Sequence, residues 1–121
     1  MFSTSDAYYT IHEPPGKYQM QNINSKQAKI QFDNNRLFID VREESEYRQV
    51  HIPKSTLIPL SQIQNRWQEI PKETEVVIYC QSGSRSTSLV KELERLGYEK
   101  LMNLHGGMIS WQLGNMPVEF G

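Results

Sequence analysis

Val76-Val77-Ile78-Tyr79 is a continuous apolar run that leads straight into Cys80-Gln81-Ser82-Gly83-Ser84-Arg85-Ser86. A helix-type segment follows, with Leu89, Leu93 and Leu96 on one face and Gly97 placed to end it. The uniform apolar run predicts a strand buried on both faces. Strand, tight polar turn and helix form the unit of α/β architecture, whose ligands bind beyond the carboxyl ends of the strands. Cys80, the only cysteine in the chain, opens that turn. There its sulfur faces backbone N–H groups at the positive end of the helix dipole, a setting that favours the reactive thiolate. Gly83 accepts a positive φ angle. Ser82, Ser84 and Ser86 are small enough to leave the N–H groups open, and Arg85 adds a fixed positive charge with a planar fork of donors. A lone cysteine is more often a small core residue; the surrounding turn is what makes Cys80 a candidate nucleophile.

Outward from this turn, the pattern alternates strands and helices. Tyr18 to Ile23 reads as a short edge strand, and Ser25 as the cap of a helix carrying Ala28, Ile30 and Phe32 and ending near Asn34-Asn35. Leu37-Phe38-Ile39-Asp40-Val41 is an apolar strand with a carboxylate near its end, and Glu43 to Gln49 a short helix. Thr56-Leu57-Ile58 is a short strand, and Ser61 a cap for a helix with Ile63 and Trp67. Leu101 to Leu104 is the last strand, and Gly106-Gly107 starts a final helix with Met108, Ile109 and Trp111. The expected fold is α/β, a central, mostly parallel sheet flanked by helices on both faces. Residues 1–17, with Tyr8-Tyr9 and Glu13-Pro14-Pro15-Gly16, read as an N-terminal arm before a domain spanning 18–121.

The chain has 121 residues, 37% hydrophobic and 22% charged, as one soluble globular domain requires. A net charge of −1 argues against nucleic acid or an acidic membrane as partner. No apolar run is long enough to span a bilayer, and Met1 to Thr10 lacks the basic start and apolar stretch of a signal peptide. A cytoplasmic location is the expectation. One cysteine and three scattered histidines (His12, His51 and His105) give no metal-ligand spacing, so neither metal nor cofactor is expected.

Four stretches together resemble a rhodanese domain. They are Asp40-Val41-Arg42-Glu43 with Glu46-Tyr47, His51-Ile52-Pro53, the Cys80 to Ser86 turn, and Asn103-Leu104-His105-Gly106-Gly107-Met108 with Trp111. The resemblance covers about residues 18–119 and implies a rhodanese-like fold and a sulfurtransferase. In that reading Cys80 attacks the outer sulfur of a donor and carries it as a persulfide. The N–H groups of residues 81–85 (Gln81, Ser82, Gly83, Ser84 and Arg85) cradle substrate, as in an oxyanion hole. Asp40, Arg42 and Ser86 are supporting residues, with Asp40 near Arg85 or the loop amides and Arg42 near Glu46, four positions along a helix. His51 and Trp111 read as packed residues.

The partners so implied are a small-molecule sulfur donor and acceptor, or a sulfur-relay protein, for a monomer or weak homodimer. With no second thiol, the acceptor comes from outside. A non-catalytic interaction module of the same fold is the alternative. An arsenate reductase or phosphatase is a further one, disfavoured because four residues separate Cys80 from Arg85 where cysteine phosphatases have five. Three departures from the family pattern stand out. Val50 replaces a Gly before His-Ile-Pro, which predicts strain if that position needs a positive φ. Lys54-Ser55 replaces Gly-Ala, and neutral Gln81 follows the cysteine, which points away from thiosulfate towards a protein persulfide as donor.

Overall fold

A computed structural model describes residues 20–121. The expected arm and the start of the expected first strand lie outside the described residues. Five strands, β1 (Gln21–Ile23), β2 (Leu37–Asp40), β3 (Thr56–Leu57), β4 (Val76–Tyr79) and β5 (Leu101–Leu104), form one sheet in the order β1-β5-β4-β2-β3. Every strand pair is parallel. The helices are α1 (Ser25–Asp33), α2 (Glu44–Gln49), α3 (Ile63–Arg66), α4 (Ser84–Arg95) and α5 (Gly107–Leu113), with 3₁₀ turns at Leu60–Gln62 and Trp67–Glu69 on either side of α3.

Strand β4 is central and wholly buried, as its apolar run requires. Its alternation divides the core in two. Val76, Ile78 and Cys80 pack with Ile63, Leu89, Val90 and Leu93, beneath α3 and α4. Val77 and Tyr79 pack with Ala28, Met108 and Trp111, beneath α1 and α5. Trp111 is fully buried, edge-on to Phe32 and Phe38, and its indole N–H donates to the Pro117 carbonyl.

Local details differ from the sequence expectation at three places. Asn24, not Ser25, caps α1, in a reciprocal box with Gln27 at 2.8 Å in each direction. Ser61 caps no helix; its hydroxyl donates to Glu43 at 2.6 Å, tying the 3₁₀ turn to the start of α2. Val50 is unstrained at φ −162°, ordinary extended backbone, and the positive φ of this loop falls on Lys54 at +67°.

Candidate active site

The turn after β4 points backbone N–H groups at sulfur. Cys80 Sγ accepts from Gly83 N at 3.1 Å and from Ser86 N at 3.3 Å, with the Ser86 hydroxyl at 3.4 Å. Gly83 takes φ +102°, which brings its N–H round onto the sulfur. The resemblance implies a cradle of the N–H groups of residues 81–85; the donors to sulfur are Gly83 and Ser86, because α4 begins at Ser84 and the amide of its third residue reaches back over the turn. Two backbone N–H groups and the N-terminal end of a twelve-residue helix thus converge on this atom. Cys80 is only 1% exposed, so the sulfur lies at the floor of the turn. Ser82 and Ser84 are exposed above it, their hydroxyls 3.4 Å apart.

The orientation of the turn is set by α5. Met108 N donates to the Cys80 carbonyl at 2.8 Å and Ile109 N to the Gln81 carbonyl at 3.1 Å. These bonds fix the first two peptide units of the turn against the start of α5. The approach is so close that a side chain at Gly107 would collide with the Cys80 carbonyl oxygen and stand 2.7 Å from that of Gln81. In the sequence the Gly-Gly pair reads as a helix start; its closer role is to let one helix end dock against the active turn. Thr87 adds a hydroxyl bond to Gly83 O at 2.6 Å and links through Asn103 Nδ2 at 3.2 Å to β5.

Two ion pairs flank the turn, and they are exchanged relative to expectation. Asp40 pairs with Arg42, not Arg85. Arg42 Nη2 lies 2.7 Å from Asp40 Oδ2, both side chains buried, and the Arg42 backbone N–H donates to Asp40 Oδ1 at 2.9 Å. The guanidinium also donates to Val50 O at 2.7 Å and Gln81 Oε1 at 3.1 Å. Burial opposes its charge, but the Asp40 hydrogen bond and field outweigh burial and leave the Arg42 pKa above its ordinary value. Glu46 pairs with Arg85, not Arg42, through two bonds of 3.1 and 2.9 Å. The Arg85 hydrogen bond holds the Glu46 carboxyl below the usual range, and the same bond raises Arg85. The exchange arises because Arg42 turns inward beneath the sheet end, while Glu46 on α2 faces the first turn of α4.

Behind Asp40 lies Tyr79, whose hydroxyl accepts from Ile52 N at 3.1 Å and bonds Ser55 Oγ at 3.0 Å. Burial, then the negative field of Asp40, pushes the phenol far up, so it stays neutral. Ser55 thus serves a buried network that its replacement of Ala did not announce. His51 is packed as expected, stacked on Tyr47 at 3.7 Å with Nδ1 2.9 Å from the Tyr47 carbonyl. No cluster able to hold a metal occurs among the described residues.

A family model described as a rhodanese-like domain matches residues 22–113. The chain belongs to the rhodanese family. It is 40% identical over 82 residues to a sulfurtransferase of Allochromatium vinosum, covering 68% of this chain and 77% of that protein. It is 36% identical to a putative sulfurtransferase, YtwF, of Bacillus subtilis, over 74% of this chain and 85% of the relative. Other rhodanese relatives are longer. The chain spans 49% of a putative sulfur carrier protein of Bacillus subtilis and 25% of an adenylyltransferase and sulfurtransferase of Ogataea parapolymorpha. Among solved structures, a rhodanese-related protein from Thermoplasma volcanium superposes with a TM-score of 0.78 at 27% identity, covering 84% of this chain and 99% of that one. Family membership and relatives named sulfurtransferases support a role in sulfur transfer.

Proposed function

We propose that this rhodanese-family protein is a sulfurtransferase that carries sulfane sulfur as a persulfide on Cys80. The observation that carries the reading is the pair of amides, Gly83 and Ser86, aimed at Sγ at 3.1 and 3.3 Å. In the first half-reaction the Cys80 thiolate attacks the outer sulfur of the donor. The Sγ–S bond forms, the donor's S–S bond breaks, and the leaving group departs with the electron pair, as sulfite from thiosulfate or as a thiolate from a persulfide. In the second, an acceptor nucleophile takes the terminal sulfur and returns Cys80 to the thiolate. The amides are already aimed at Sγ when it carries the thiolate charge, and no general base is required. Gln81, Ser82, Gly83, Ser84 and Arg85 line the approach to substrate, Ser86 supports the sulfur, and Asp40 and Arg42 hold the turn in place. Relatives named as a sulfur carrier and as an adenylyltransferase and sulfurtransferase favour a relay protein as one physiological partner. A second thiol is absent, so the loaded form awaits an external acceptor.

Intact mass spectrometry after incubation with a donor, then after cyanide, tests this. Wild type gains one sulfur atom that cyanide removes, and Cys80→Ser gains none. A wild-type chain that gains no sulfur from thiosulfate, organic thiosulfonates or an alkyl persulfide would overturn the reading.

A further inference from the structure

The charges at the mouth of the turn bear on which sulfur donor it accepts. Arg85 stands five positions after Cys80 and is the cation that an anionic donor would seek. Both of its terminal nitrogens are already given to Glu46, at 3.1 and 2.9 Å. Glu46 is held from a second side, since its Oε1 accepts from Glu43 N at 3.0 Å. The other guanidinium at the turn, Arg42, is bound to Asp40, Val50 O and Gln81 Oε1. A dianion arriving here meets amide dipoles and two guanidinium groups whose charge is already compensated by Glu46 and Asp40. Beside Arg85 runs a groove of about 240 Å³ lined by Leu60, Ser88, Leu89 and Glu92, whose floor is largely apolar.

We propose that Glu46 determines donor specificity: by neutralising Arg85 it disfavours the thiosulfate dianion and selects monoanionic organic donors of the type R–S–S⁻ or R–SO₂–S⁻, whose carbon part lies in the groove by Leu60 and Leu89. The inference rests on Cys80 being the sulfur acceptor. With a thiosulfonate the chemistry balances: the Sγ–S bond forms, the donor S–S bond breaks, and the sulfinate leaves with the electron pair. Glu46 acts through Arg85 and is a positioning residue for charge, not a catalytic one.

The test uses the full chain as wild type, Glu46→Gln, Arg85→Gln and the double variant, with thiosulfate, methanethiosulfonate and benzenethiosulfonate as donors. The amide introduced by Glu46→Gln keeps an oxygen for the Glu43 N–H, so the start of α2 is preserved. The ratio of kcat/KM for thiosulfate to that for methanethiosulfonate should follow the net charge of the pair. Glu46→Gln should raise it roughly two- to fivefold, mainly through the KM of thiosulfate, the size expected of a partly screened unit charge. Arg85→Gln should lower it, and the double variant should return near wild type. A merely structural role would move both donors together, and an unchanged ratio overturns the proposal. So does a double variant that stays at the Arg85→Gln level. Wild type should show a lower KM for the phenyl than for the methyl donor, and equal values would remove the groove from the assignment. If no donor loads Cys80, the sulfur-transfer reading itself fails; if all load and the ratio is fixed, only the specificity role of Glu46 fails.

Discussion

The two ion pairs beside the turn have the same chemistry and opposite surroundings. Asp40–Arg42 is buried, with side chains 0% and 2% exposed, and every donor of Arg42 named above meets an acceptor. Glu46–Arg85 is about a third exposed on each side. A buried pair whose hydrogen bonds are filled cannot lose one member cheaply, because the partner is left as an uncompensated charge. A partly exposed pair is cushioned by water and can be altered with little effect on the fold. The first pair therefore belongs to the architecture of the turn, and the second is free to tune what the turn accepts.

The largest effect should come from breaking the buried pair alone. Arg42→Met strands Asp40 and unties Gln81 and Val50, and should destabilise the fold by about 3–5 kcal/mol in urea denaturation. Adding Asp40→Leu removes the stranded charge and should recover much of that loss; a double variant as unstable as the single would show that Arg42 matters through its other bonds and not through Asp40. Glu46→Ala should cost only about 0–1 kcal/mol by the same measurement; a loss as large as that of Arg42→Met would erase the distinction between the pairs.

The smallest effect is that of pH. Because the Arg85 bond lowers the Glu46 pKa on folding, the pair's stabilisation is fully present above the ordinary carboxylate range and is lost as pH falls through the lowered folded value. The stability difference between wild type and Glu46→Gln should stay flat at neutral pH and shrink only under acid. A difference that instead grew on acidification would contradict the direction of the shift.

Much of this molecule is legible in its sequence. The apolar run at Val76–Tyr79 predicts a strand covered on both faces, and it is the central one. Gly83 is the residue in the turn suited to a positive φ, and it has one. Both features are local, governed by residues adjacent in the chain. The pairing of charges is not local. Helical spacing suggests Arg42 with Glu46, four positions apart, whereas Glu46 meets Arg85, 39 positions away. The docking of α5 on the turn is hidden as well, since Gly106-Gly107 reads equally well as a plain helix start.

The sequence by itself determined the parallel α/β plan and the place of the lone cysteine at a strand-to-helix turn, because periodicity and turn chemistry act over a few residues. Only the tertiary structure decided which carboxylate faces which guanidinium, which amides reach the sulfur, and that the Gly107 backbone must lie against the Cys80 carbonyl. Those are contacts between segments that the sheet brings together at its carboxyl edge, and their partners are chosen by the geometry of that edge, where spacing along the chain has no say.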